Sequence, residues 1–317
     1  VLRKYMRIHK FLLPPIIAVA SLNSAIAQPN VAASIKPIHS LVSSVMEGIA
    51  APLLLVEAGS PHTYSLKPSQ AKYLQEVDAV FWVAHDVETF LEKPLESIPK
   101  KTAVVELGET EGLIELSLRE GGLFDSHGHD DHDDHDDHDD HDEHDDHDKH
   151  DDRDKHDDHA KHDDDAKHDD QGHGEHDPHF WLDPLNAKVM VREIQQQLAS
   201  IDPVNAARYE SNAKETEARL DKLVTEIEAE LAGLQGSEFI AFHDAYQYFE
   251  NRFGVKAIGT ITVSPEVMPG AKRLKELREK VKSSKATCVF SEPQFQPKVV
   301  AVLTDGTDAK TGVLDPL

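Results

Sequence analysis

Cysteine occurs once in this chain, at position 288, so no disulfide can form within the 317 residues and no thiolate cluster can hold a metal. Long apolar runs are missing too. The longest, Phe11–Leu22, is broken by Pro14 and Pro15 and falls well short of the roughly 20 residues that a membrane-spanning helix needs. Positive charge is scarce. Lys and Arg total 33 against 59 Asp and Glu, a net charge of −26, which argues against a nucleic-acid partner. No HExxH motif, glycine-rich phosphate loop or separate nucleophile constellation occurs, so the usual signatures of zinc proteases and nucleotide-handling enzymes are absent.

The acidity that is present sits in one place. Between Asp125 and Pro178 there are 26 Asp or Glu and 5 Lys or Arg, a local charge of −21, leaving the remainder near −5. This segment holds 15 of the 21 histidines, with His129, His132, His135, His138, His141, His144, His147 and His150 at a strict spacing of three. With almost no apolar residues it cannot build a core, and it is expected to be an extended, mobile loop. Imidazoles beside carboxylates suit Zn, Cu, Ni or Co. Each unit should bind weakly, because a chelate there must order a floppy chain. The alternative, a spacer that only confers solubility, leaves the histidines unexplained.

The N-terminus reads as an export signal over residues 1–27. Arg3, Lys4, Arg7 and Lys10 precede the apolar run, and Ala25-Ile26-Ala27 fits a small-x-small cleavage site before Gln28, with Met6 an alternative start. An uncleaved anchor is the competing reading, and the run is too short for it. No cysteine lies near the cleavage site to carry a lipid, so an exported, unanchored protein retained in a periplasm is expected. Cys288 is unusual in that compartment. Either its partner lies beyond Leu317, where the chain stops just after an apolar stretch, or it is a buried thiol in the strand around Thr287–Phe290.

From Gln28 onward strands and helices alternate, as in a parallel α/β sheet. Strands are expected at 31–35, 52–56, 79–84 and 102–107, with helices at 38–46, 68–77 and 87–98, the last kinked by Pro94. After the acidic segment, helices at 186–201 and 203–234 precede strands at 238–242, 255–260, 287–290 and 312–314 and helices at 245–253, 270–281 and 299–303. The second of those helices carries Leu220, Leu223, Val224, Ile227 and Leu231 as its apolar positions. The expected architecture is α/β with two parallel-sheet lobes joined by a long rigid helix, in preference to one doubly wound domain. The expected divisions are 28–124 for the N-terminal lobe, 125–178 for the loop, 179–234 for a cleft segment and long linking helices, and 235–317 for the C-terminal lobe.

Few histidines remain outside the acidic segment, so their positions inform. His62 follows a strand and precedes a helix, His179 precedes a helix in Asp177-Pro178-His179, and His243 follows the apolar Phe239–Phe242. Strand ends of this kind are where parallel sheets place ligands. A lone histidine there would usually be a structural hydrogen-bonder. Three of them point to one metal site, with His39 and His85 weaker candidates. Three imidazoles with a water or one carboxylate make a tetrahedral Zn2+ site. A zinc hydrolase would need a general base beside the metal. Glu292 is the one nearby carboxylate, and its expected role is to support the site. A periplasmic buffer or chaperone for zinc or nickel is a further alternative. A transport receptor binds one ion tightly without turnover, a buffer binds many weakly, and a hydrolase turns over esters or amides.

The stretches SPHTYSLKPS, DPHFWLDP, AFHDAYQYFENRFG, PEVMPGAKRL, TCVFSEPQFQP and GVLDPL resemble the zinc-specific branch of the metal-binding ABC transporter solute-binding proteins, over nearly all of Ala32–Leu317. The resemblance implies two α/β lobes, a metal in the cleft between them, a charged His-rich loop beside it, and delivery to an ABC permease in the inner membrane driven by a cytoplasmic ATPase. A monomer is expected. The ligand histidines implied are His62, His179 and His243. Some zinc members carry Glu just before the first ligand, where this chain has Pro61. Manganese and iron members use a carboxylate at the third position and an Asp near the end. The latter matches Asp315, a candidate fourth ligand for which water is the alternative. Members with a disulfide pair the equivalent of Cys288 with a cysteine near the end, which, like the last helix of the second lobe, is expected beyond Leu317.

Overall fold

The computed structural model describes residues 28–119, 121, 123–124, 176–262, 269–284, 288–295 and 298–317. The leader read at 1–27 and the histidines at 129–150 lie outside them. Among the described residues no helix is long and apolar enough to cross a membrane.

Strands of a parallel sheet covered on both faces read as unbroken apolar runs. Val31–Ala33 (β1) and Ala79–Trp82 (β3) are such runs, buried throughout. With Leu53–Leu54 (β2) and Ala103–Glu106 (β4) they form a four-stranded parallel sheet in the order β2-β1-β3-β4. Helix α1 (Lys36–Val45) starts with proline in its first turn, where the missing N–H costs nothing, and buries Ile38, Val42 and Val45 on one face of the sheet. The other face is closed by Leu74 of α2 (Pro68–Leu74) and by Leu91 and Ile98 around α3 (Glu92–Glu96).

The second sheet repeats this order. Glu238–Ala241 (β5), Lys256–Thr260 (β6), Cys288–Ser291 (β7) and Lys310–Val313 (β8) run parallel as β6-β5-β7-β8. Helices α7 (Ala271–Ser283) and α8 (Lys298–Thr304) press Leu277, Val281, Val300 and Leu303 onto Ile240 and Val289. In each sheet the chain crosses from the first strand to one side and then returns past it to the other, which opens a crevice at the carboxyl ends of the central strands. The expected architecture of two parallel α/β lobes is what the structure has. Cys288 is a free, partly buried thiol at the start of β7.

Between the sheets run α4 (Pro184–Ile201) and α5 (Ala206–Glu230). At 1.5 Å per residue the 25 residues of α5 span about 37 Å. Its buried side chains are Tyr209, Asn212, Ala213 and Thr216, not the apolar set expected from 220 onward, and Leu223 is 41% exposed. The reason is a helix end. Asn212 Nδ2 donates to the carbonyls of Val45 and Glu47, 2.8 and 2.9 Å away, and satisfies the open C-terminus of α1. The early half of α5 is therefore the packed half.

Two other expectations shift for local reasons. The helix expected at 87–98 is a 3-10 turn at Thr89–Leu91 followed by α3 alone. Buried Glu88 folds back to accept from the backbone N–H groups of Val83 and Ala84, and Pro94 sits in the first turn of α3 rather than kinking a longer helix. Helix α6 (Gln247–Phe253) begins two residues later than expected, because Ala245 N bonds to His243 O in a tight turn.

Candidate metal centre

His62 lies in the 3-10 turn Pro61–Thr63 between β2 and α2. His243 stands in the turn after β5, in the crevice of the second sheet. His179 follows no strand. It leads into the 3-10 turn Phe180–Leu182 and then α4, whose N-cap is Asp183. The structure brings these three together. One ring nitrogen of each lies within 4.8 Å of the others, and ring centroids are 5.4–6.1 Å apart.

Each ring is aimed through its second nitrogen. His179 Nδ1 donates to Asp177 Oδ1 at 2.7 Å and His243 Nδ1 to Glu292 Oε1 at 2.7 Å. A carboxylate can only accept, so both Nδ1 carry the proton and both Nε2 keep a lone pair. The His62 ring lies near the backbone of Asp86, which opposes the lowering of its pKa. Both carboxylates are buried, and His243 Nε2 is itself buried with no hydrogen-bond partner. A buried lone pair without a donor, beside two more imidazoles, fits a bound cation. Trp181 packs its ring 5.2 Å from that of His179 and donates Nε1–H to Pro316 O at 2.6 Å. The C-terminal segment is thereby tied over the pocket.

Burial lowers the His62 pKa to about 3, helped by repulsion from His179 and His243 and opposed by the Asp86 backbone bond. The sign follows. An unfolded imidazole takes up its proton near pH 6.5, whereas the folded one stays neutral until about 3. This site's contribution to stability is thus complete above pH 6.5 and is lost as pH falls from there toward 3. Two results are expected. In the metal-free protein, the stability difference between wild type and His62→Gln should shrink as the pH is lowered through that window, measured by denaturant unfolding. Zinc should also leave the histidines of 129–150 before it leaves the cleft as pH falls from about 7 to 5.5, because ordinary imidazoles already compete with protons there. Joint loss of both classes of site in a competition titration would refute this.

Other candidates lie elsewhere. Asp315 is exposed, accepts from Gln294 Nε2 and from Leu317 N, and does not join the three imidazoles. His39 is spent on Pro52 O and Ser43. His85 pairs with Glu92 at 2.9 Å. Three residues escaped the sequence reading. Asp177 stands two residues before His179, a spacing that lets its carboxylate meet the ring, and that signal was available in the DPH triplet. Nothing comparable marked Trp181 or Arg119. Arg119 belongs to a strap, residues 113–119, 121, 123 and 124, that crosses to the second lobe. Leu116 N donates to Tyr248 Oη, Arg119 grips Asp244 and Glu250, and Leu123 O accepts from Thr260 N and Arg273. Gly259 has no Cβ because one would lie 2.5 Å from Leu123 Cβ.

The sequence profile of the periplasmic zinc-uptake complex component A (ZnuA) matches residues 31–317. The high-affinity zinc uptake system protein ZnuA of Brucella abortus (strain 2308) is 54% identical over 288 residues, covering 90% of this chain and 83% of that one. Its counterpart in Yersinia pestis is 34% identical over 302 residues, covering 92% and 84%. Among solved structures, a ZnuA crystal structure superposes with a TM-score of 0.69 at 23% identity, covering 92% of each chain. The laminin-binding protein of Streptococcus agalactiae, described as an adhesin with metal-transporting activity, does so at 0.67 and 20% identity, covering 92% of this chain and 90% of its own. At those identities the two structures speak for the fold.

Proposed function

This chain belongs to the periplasmic zinc-uptake complex component A family, and from that premise we propose that it captures Zn2+ in the periplasm through His62, His179 and His243 and hands it to an ABC-type permease in the inner membrane. The observation that carries the reading is the convergence of three imidazoles, two of which have their other nitrogen committed to a buried carboxylate. The ion is cargo rather than catalyst. A hydrolase needs a base to take a proton from metal-bound water, and Glu292, the carboxylate bordering this pocket, is committed to His243. Nitrogen donors and low coordination number favour Zn2+ over Mn2+, which seeks more oxygen ligands.

In this reading the histidines of 129–150 are a separate, weaker store. The base of that segment is fixed by the protein on either side, through the Ser117–His176 bridge and the bonds to Leu123 O. Replacing residues 125–175 by a flexible linker is therefore expected to leave the fold and one tight zinc intact, while several weaker ions are lost. Equilibrium dialysis counts the ions and chelator competition ranks them. Loss of the tight ion with the segment would remove the three histidines as the principal site.

A further inference from the structure

One more polar atom at the zinc pocket is without a partner. Gln294, three residues beyond β7, borders the pocket beside His62, His179 and His243. Its Nε2 donates to Asp315 Oδ1 at 2.7 Å, while its Oε1 is buried and accepts no hydrogen bond. The direction of this amide is fixed by chemistry. Asp315 can only accept, so it takes the NH2 end and the oxygen is turned the other way. A buried carbonyl oxygen left unsatisfied costs as much as a lost hydrogen bond. Two residues that line the pocket thus each carry a buried, unpartnered lone-pair atom, His243 Nε2 and Gln294 Oε1. They cannot satisfy each other, because neither has a hydrogen to give. A cation satisfies both.

We propose that Gln294 Oε1 is the fourth ligand of the ion held by His62, His179 and His243, and that Asp315 acts through Gln294 as a positioning residue rather than touching the metal. This rests on the three-histidine reading above and completes it. Charge is compatible with direct ligation. A neutral amide adds none, and the two positive charges of the ion are matched by the buried carboxylates of Asp177 and Glu292 behind the rings. The Asp315 bond polarises the amide and strengthens its oxygen as a donor. A neutral oxygen holds zinc less firmly than a carboxylate would, which suits a carrier that must give its ion up.

Cobalt(II) in place of zinc makes the fourth position visible, because a metal-bound water ionises near neutral pH and changes the absorption spectrum, whereas an amide oxygen does not. The full-length chain is loaded with substoichiometric Co2+ so that the strongest site fills first. The wild-type visible spectrum is expected to stay constant between about pH 6.5 and 9, the range in which a water ligand would titrate. Gln294→Met keeps the length of the side chain and removes its oxygen. It should admit water, acquire such a titration, and weaken zinc about 10- to 100-fold in chelator competition. Gln294→Glu should restore the constant spectrum, and Asp315→Ala should weaken zinc less than Gln294→Met does. A wild-type spectrum that already titrates, which needs no variant to fold, or a Gln294→Met protein with wild-type zinc affinity would overturn the role of Gln294 and leave the three-histidine site standing. That site fails separately, if His179→Ala alters neither the cobalt spectrum nor the zinc affinity.

Discussion

Replacing His179 by alanine is expected to weaken zinc binding by about 10²–10³-fold. Four-ligand zinc sites bind with about 10–16 kcal/mol, or about 3–4 kcal/mol per ligand, and each 1.4 kcal/mol is tenfold. His179 should lie near the upper end of that range. Its ring is buried and pre-aimed by Asp177, so little entropy remains to be lost on binding. Folding should survive. The alanine keeps the backbone N–H that donates to Asp177 Oδ1 at 3.0 Å, and Asp177 O still accepts from Tyr248. A thermal-shift experiment reports the same quantity independently. Zinc at 1,000 times its Kd stabilises a protein by about 4.1 kcal/mol, and the variant should lose most of that gain while its metal-free melting point moves little. If affinity were unchanged, the tight ion would have to sit elsewhere, with the histidines of 129–150 the first place to look.

The three converging histidines were legible because histidine is rare outside one tract, so three such residues before helix starts stood out against their background. What aims them was legible only in part. Asp177 lies two residues before His179, a local signal in the DPH triplet, whereas the contact of Glu292 with His243 depends on β5 and β7 being neighbours in the sheet, which is a fact of topology. The two-lobe fold followed from the alternation of apolar runs and amphipathic segments, since a sheet covered on both faces imposes that grammar. What pattern could not supply was the exchange of polar groups between elements. In α5 the residue that matters most for packing is Asn212, which serves the carbonyls at the end of α1, and an apolar count passes over it. Asp315 shows the same limit at the site. The resemblance offered it as a candidate fourth ligand, and its carboxylate accepts from Gln294 Nε2, a contact that sequence position does not resolve.

The strap around Arg119 was likewise invisible to periodicity, and it carries the largest expected effect on stability. Arg119 donates to Asp244 through Nε at 3.1 Å and again through Nη2, donates to Glu250 at 2.8 and 3.0 Å, and lies 4.2 Å over the ring of Phe124. Glu250 also accepts the N–H of Ala257 at 2.9 Å, which fixes the edge strand β6 to α6. Arg119→Met should therefore strip one cation from two carboxylates at once. Exposed pairs are worth about 0–1 kcal/mol, whereas removing one partner of a buried pair costs about 3–5 kcal/mol. Side-chain exposures of 20% for Arg119, 23% for Asp244 and 8% for Glu250 place this cluster nearer the buried case, at about 3 kcal/mol. For a chain of this size that lowers the melting temperature by about 6–12 °C. Arg119→Lys should recover only part of it, because an ammonium is a point charge and cannot present a fork to both acids. Asp244 directly follows His243, so the variant should also bind zinc less tightly, and by less than His179→Ala does. A loss below about 1 kcal/mol in denaturant unfolding would class these pairs with ordinary surface ion pairs and leave the bonds at Leu116, Ser117 and Leu123 to hold the strap to the second lobe.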